Sequence, residues 1–320
     1  RARGYEPRGP SMPELRAGDP YRSGSGARRR GEVTTVVVVS GDRPETAVPL
    51  ALKELGIEVK GRKVVIKPNL IANRPYPVTT PPETVGALLD YFREGNELIV
   101  AEGSGFGDTR EIFRDQGYGE LVERYGARLV DLNRDEFEVL ELPKVKVLKR
   151  FELPLTLKGA YLISAAVLKR HSITRVTLSV KNMLGATIGR DKGRFHRLGI
   201  DESIVDICLY RKPDLAVIDG RLGLSSELGG EAKKFGVMIF SEDPVAADAV
   251  GAKILGVEPS SVRHLKLAQE AGLGVCDLKR IEVRELKAAE ALNERAGPRW
   301  KSRRSPSGSF RNLSFCPPRS

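Results

Sequence analysis

The run Val33-Thr-Thr-Val-Val-Val-Val-Ser40 is the feature that most limits what this chain can fold into. A continuous β-branched stretch of that length is long enough for a buried strand and too short for a helix. Such a strand has no solvent-facing side, so it needs cover on both faces. A helical face follows at once: Pro44 to Leu55 places apolar residues at 47, 48, 51, 52 and 55 and ends at Gly56. Lys63–Lys67 then reads as a strand stopped by Pro68. Thr79-Thr-Pro-Pro-Glu83 opens a helix to about Arg93, with a hydroxyl cap, prolines in the first turn and an acid at the positive end.

The alternation continues down the chain. Leu98–Ala101, Arg128–Leu132, Tyr161–Val167, Leu215–Ile218, Phe235–Ser241 and Arg280–Val283 read as strands. Helices are predicted at 109–125, 175–184, 200–210, Pro244–Leu255 and Ser260–Ala271, and residues 133–158 as a strand pair or crossing connection. This pattern predicts an α/β fold: a mostly parallel sheet with helices on both faces, in three layers. One domain is expected over residues 33–290, with sub-lobes at 33–132 and 155–285.

The net charge of +11 suggests a polyanionic partner until it is located along the chain. Residues 1–32 carry eight arginines against four acids, and residues 297–320 carry five arginines and Lys301 with no acid. Nearly all the excess therefore sits in two Gly/Pro/Ser/Arg-rich ends, which read as disordered basic tails. Nucleic acid is expected to bind only through those tails, since the remainder is close to neutral and aromatic content is 6%. No apolar run approaches about 18 residues, and no apolar stretch follows the N-terminal arginines, so the expectation is a cytoplasmic protein without a membrane span. Cys208, Cys276 and Cys316 are odd in number and far apart. That excludes a disulfide framework and an intrinsic iron–sulfur cluster or structural zinc site of common spacing.

In sheets of this kind ligands bind beyond the carboxyl ends of the strands. The residues just past those ends are Asn69, then Glu102, Ser104 and Asp108, then Lys169 and His171, then Asp219, and finally Ser241, Glu242 and Asp243. The densest chemistry lies between Lys169 and His196, where two of the three histidines bracket Ser179-Val-Lys-Asn-Met-Leu-Gly185. Histidine exchanges protons near neutral pH, and a desolvated lysine serves as base, nucleophile or anion clamp. Lys181, His171, His196 and Asn182 are therefore the candidate catalytic residues. Lys67, Asn69, Glu102, Ser104, Lys169 and Asp248 are the candidate substrate-binding residues. A divalent metal, if one is used, would fall to His171, His196 and Asp219. Gly103-Ser-Gly-Phe-Gly107 sits where a phosphate-cradling loop would, but lacks dinucleotide-binding spacing and any phosphate-loop lysine. Asp243 with Pro244 has the form of a helix cap.

Taken in order, these motifs resemble the family of domain of unknown function 362. The resemblance is carried by Lys67-Pro-Asn69, Thr80-Pro-Pro-Glu83, Glu102-Gly-Ser104, Leu168-Lys-Arg-His171, Ser179-Val-Lys-Asn-Met-Leu-Gly185 and Arg194-Phe-His196. Asp219-Gly220, Ser241-Glu-Asp-Pro-Val-Ala-Ala-Asp248 and Gly272-Leu-Gly274 complete it. It implies association with ferredoxin-type iron–sulfur modules. This chain lacks the clustered cysteines of such a module, so the cluster would belong to a separate protein. The expected function is an enzyme acting on a small anionic metabolite through the Lys/Asn/His segment. The alternatives are a nucleic-acid-binding or scaffold protein using the basic tails, and a metallocentre maturation factor.

Overall fold

The computed structural model describes residues 33–288. The two basic tails, together with Cys316, lie outside the described residues. Within them the strands are β1 (Thr34–Ser40), β2 (Lys63–Pro68), β3 (Glu97–Glu102), β4 (Arg128–Asp131), β5 (Phe137–Glu141), β6 (Arg150–Pro154), β7 (Tyr161–His171), β8 (Arg175–Thr177), β9 (Leu215–Leu224), β10 (Ala232–Ser241) and β11 (Ile281–Lys287). The helices are α1 (Pro44–Glu54), α2 (Pro82–Phe92), α3 (Thr109–Asp115), α4 (Tyr118–Tyr125), α5 (Ser179–Asn182), α6 (Arg194–Leu198), α7 (Ile200–Tyr210), α8 (Pro244–Ile254) and α9 (Arg263–Glu270). None of these helices is long and apolar enough to cross a membrane.

One mixed sheet runs in the order β11-β1-β10-β9-β7-β2-β3-β4, with β8 folded back against β7, while β5 and β6 form a separate antiparallel pair. The strands alternate their side chains between two cores, which makes the fold a three-layer α/β/α arrangement. Val37 and Val39 of β1, with Val64 and Ile66 of β2, pack with Val48 and Leu52 of α1 and Leu88 and Leu89 of α2. Val36 and Val38, with Val65, face the opposite core, which holds Val180 of α5, Ile204 and Cys208 of α7, Ala246 of α8 and Leu265 of α9. Cys208 and Cys276 are both free thiols buried in that second core.

Three elements depart from the pattern read in the sequence. The 109–125 helix is two helices, because Gly117 adopts a left-handed φ of +79° between them. The 175–184 helix is instead the short strand β8, the four-residue α5 and a 3₁₀ turn over Met183–Ala186. The largest departure is that β9 and β10 form a hairpin. β10 is antiparallel to both β1 and β9, so Ser241, Glu242 and Asp243 lie at the sheet edge opposite the carboxyl ends of β2, β3, β7 and β9. They are removed from the candidate site. Asp243 caps α8 by accepting the Val245 and Ala246 amides at 3.0 Å each. Gly274 of the Gly272-Leu-Gly274 motif passes against it so closely that a Cβ would lie 2.0 Å from its Oδ1.

Candidate functional site

β7, β2 and β3 are adjacent and parallel, which brings the ends of all three to one edge. α5 lies over this edge. A four-residue helix has no intrinsic stability, and this one is held by a distant residue. Asp248 of α8, fully buried, accepts the Ser179 amide at 2.8 Å through Oδ1 and the Val180 amide at 2.9 Å through Oδ2. Burial pushes the Asp248 carboxyl up to about 8, against the pull of those two amides. Asp248 therefore positions the helix that carries Lys181 and Asn182.

Beneath α5 lies a buried polar truss. Lys67 is fully buried and donates to Pro68 O at 2.9 Å, to Asn182 Oδ1 at 3.0 Å and to Glu102, whose Oε1 lies 2.9 Å away. Glu102 also accepts the Leu70 amide at 2.8 Å and the Gly103 amide at 2.7 Å. The Asn182 amide is saturated: its Oδ1 accepts from Lys67 and, at 3.3 Å, from Asn69, and its Nδ2 donates to Lys67 O at 3.2 Å and Ser164 Oγ at 3.1 Å. Asn69 in turn accepts from Lys169 at 2.7 Å. Lys169 is 1% exposed, and its other two acceptors are the carbonyls of Val78 at 2.7 Å and Glu227 at 3.3 Å. All three are neutral oxygens, so the Lys169 charge is held in place without being cancelled. Burial, with the nearby charge of Lys181, brings its pKa down to about 7.

The side facing away from the truss is assembled around Lys181. Burial brings its ammonium down to about 8, opposed by the charges of Glu227 and Asp201. Among the described residues Lys181 has no hydrogen-bond or ion-pair partner. His171 closes β7, and its Nδ1 accepts the amides of Ile173 at 3.0 Å and Thr174 at 3.3 Å. Those bonds fix the neutral tautomer with the proton on Nε2. Burial and Lys181 lower the His171 pKa to about 4. Burial pushes the Glu227 carboxyl up, yet its own amide and the hydroxyl and amide of Ser172 hold it below the usual carboxylate range. His196, on α6, is exposed, and its pKa is lowered by desolvation and by Lys181. On α7, Asp201 Oδ1 accepts the His264 amide at 3.1 Å and lies 3.2 Å from its Nδ1.

A family model described as Domain of unknown function (DUF362) matches residues 64–253, more than half of the chain. This chain belongs to the DUF362 family. It is also similar to the "Thylakoid-associated protein sll1697" of Synechocystis sp. (strain ATCC 27184 / PCC 6803 / Kazusa), at 26% identity over 231 residues, covering 67% of this chain and 69% of that protein. No solved structure matches.

The DUF362 span contains the whole truss and Lys181, His171 and His196, while His264 lies beyond it. Of the residues singled out in the sequence, Lys67, Asn69, Glu102, Lys169 and Asn182 are brought together, but as a mutually satisfied scaffold. Ser104 is buried behind the DUF362 glycine loop, with its Oγ unpartnered among the described residues. That loop is no phosphate cradle, because the amides of Gly103, Ser104 and Phe106 are spent on Glu102, Thr109 and Ile71. Asp219 belongs to a separate network, accepting from Tyr76 at 3.0 Å, Thr84 at 2.6 Å and Arg221 at 2.8 Å. Among the described residues no group of three or more His, Cys, Asp or Glu is arranged to hold a metal ion, so His171, His196 and Asp219 are not assembled as a ligand set.

Several members of the site were not singled out in the sequence. They are Glu227 in the β9–β10 loop, Asp201 and His264, and Lys192. Lys192 donates to Thr187 O at 2.7 Å and to its Oγ1 at 2.9 Å, and burial lowers its pKa to about 7. A cleft of about 690 Å³ also opens beside α3, α4 and β4, but its lining includes none of Lys181, His171 and His196.

Proposed function

We propose that this DUF362 protein is an enzyme acting on a small anionic metabolite, held at Lys181 between His171 and His196. The observation that carries this reading is the contrast among lysines. Lys67 is neutralised by Glu102, and Lys169 is saturated by three neutral oxygens. Lys181 is half-buried and has no acceptor among the described residues, which leaves its ammonium open to an anionic ligand. The neutral His171 adds an N–H donor rather than a second charge.

Titration calorimetry with phosphate, malonate and pyruvate tests the reading. Replacing Lys181 by Gln removes one charge-assisted hydrogen bond, worth about 1.5–3 kcal/mol, and is expected to weaken binding about 10- to 100-fold. Equal affinity in Lys181→Gln and wild type would reject it.

A further inference from the structure

We propose that the tip of the β9–β10 hairpin, residues 225–231, is a flap latched shut by Glu227, and that its opening uncovers Lys169 for the anionic ligand. The ligand rests on the anion-site reading above, whereas the flap and its latch do not. Three hydrogen bonds join the tip to the end of β7 and the turn after it, and each of them ends on Glu227. Its carbonyl accepts from Lys169 Nζ at 3.3 Å, its Oε1 from the Ser172 hydroxyl at 2.8 Å and its Oε2 from the Ser172 amide at 3.2 Å. The tip is closed on itself: the Ser225 amide donates to Glu231 O at 3.1 Å and the Glu231 amide to Ser225 Oγ at 2.9 Å.

The sheet does little to hold this tip. Along β7 and β9 the pairing is regular up to Val167 opposite Asp219, then resumes at Lys169 opposite Leu224, so residues 220–223 bulge from the ladder. Along β9 and β10 a second break falls between Lys234 opposite Leu222 and Val237 opposite Gly220, where Gly236 takes a left-handed φ of +67°. Such bulges interrupt a ladder and bend its strand. Beyond them the hairpin is a short ribbon that pairs Leu222, Gly223 and Leu224 with Lys234, Lys233 and Ala232. A two-stranded ribbon is marginal by itself. Its base is anchored, since the Leu222 amide donates to the Tyr76 hydroxyl at 2.6 Å and Lys234 pairs with Asp42 at 2.6 Å. Movement is thereby confined to the tip, where Glu227 is the fastening.

Opening changes what Lys169 can do. An ammonium has three donors, and two of those on Lys169 go to Asn69 and Val78, outside the tip. The third goes to the Glu227 carbonyl, so lifting the tip frees one N–H of a charged group for a carboxylate or phosphate oxygen. The latch also carries the sign of charge that the ligand carries. In the closed state the Glu227 carboxylate acts on Lys169, Lys181 and His171. A bound anion and a closed latch therefore oppose each other, and binding favours the open tip by the same factor as opening favours binding.

The full chain is pulse-labelled with acetic anhydride and each lysine is followed by mass spectrometry, alongside hydrogen exchange of the backbone amides. Glu227→Ala removes both carboxylate bonds to Ser172 and is expected to speed labelling of Lys169 and exchange at residues 226–230 at least about tenfold. Exchange at residues 237–241 should stay at the wild-type rate, with a cooperative melt in every variant. Glu231→Ala takes a carboxylate from the same tip without touching the latch and should behave as wild type. Malonate should speed exchange at residues 226–230 in the wild type. Unchanged Lys169 labelling and tip exchange in Glu227→Ala would overturn the flap, as would equal acceleration in Glu231→Ala. If malonate binds by calorimetry and leaves tip exchange unchanged, the coupling of flap to ligand fails and the anion site stands. If Glu227→Ala opens the tip but malonate binds to neither form, the latch stands and the anion reading fails.

Discussion

The backbone of Gly185 rests directly on the Glu102 carboxylate: a Cβ at this position would lie 2.1 Å from Glu102 Oε1 and 2.8 Å from Lys67 Nζ. The glycine of Lys181-Asn-Met-Leu-Gly185 is thus what allows α5 and its following turn to close over the buried ion pair. Gly185→Ala must displace either the turn or the pair. A loss of about 2–4 kcal/mol in urea unfolding is expected. The control is Gly119, at the start of α4, where a Cβ would meet nothing within 4 Å. Gly119→Ala is expected to be neutral or to stabilise by up to about 1 kcal/mol. Equal effects at the two positions would contradict the close approach at Gly185.

Asp248 makes a second prediction, which separates positioning from ligand contact. Asp248→Ala leaves the amides of Ser179 and Val180 buried without acceptors, and each such group costs about 1–3 kcal/mol. Asp248→Asn retains one acceptor and should cost less. Both variants should release α5, seen as faster hydrogen exchange at Ser179 and Val180. Unchanged exchange at those two amides would mean that α5 is held by something other than this cap.

Much of the architecture was legible in the sequence. The β-branched runs at β1, β2 and β3 are buried on both faces, and burial of that kind leaves an unbroken apolar signature. The truss was also visible, because Lys67, Asn69, Glu102, Lys169 and Asn182 sit at or just beyond strand ends or in one short motif. What escaped was built from distant pieces. α5 is capped by a residue 69 positions away, so no local capping signal exists. The first half of β10, Ala232-Lys-Lys, is exposed and charged, and Gly220 and Gly223 interrupt β9, which hid the hairpin and with it the reversal of β10. Asp201 in the first turn of α7 has the form of an ordinary helix-dipole acid. His264 lies on a strongly amphipathic helix, where a buried histidine looks like core filling. A fully buried imidazole against a carboxylate is recognisable only once α7 and α9 are seen to meet.

The pH dependence of anion binding follows from Lys181. Its ammonium is the charge that an anion meets, and it is present below a pKa of about 8. Malonate keeps its own charge constant from pH 7 upward, so calorimetry over pH 7–10 isolates the protein. Affinity should be highest near pH 7, decline through pH 8 and approach a tenfold loss per unit above it. In Lys181→Arg the charge persists over the whole range, and the decline attributable to this residue should disappear. A wild-type profile that stays flat to pH 10 would remove Lys181 from the binding step.

His171 supplies the last prediction, which is independent of any ligand. Two backbone amides donate to Nδ1, and burial with Lys181 holds the ring neutral down to about 4. Nitrogen-15 correlation spectra of the imidazole should therefore show an unprotonated Nδ1 and a protonated Nε2, unchanged between pH 8 and pH 5. The consequence for stability has a definite sign. Between pH 6.5 and about 4 the unfolded chain binds a proton that the folded ring refuses, so this group's contribution to stability is full above 6.5 and is lost as pH falls. Part of that loss is screened, because the ring is only partly buried. His171→Asn should flatten this segment of the stability profile. An ordinary titration near 6.5 would instead mean that the amides of Ile173 and Thr174 do not hold the ring, and the donor role assigned to Nε2 would go with them.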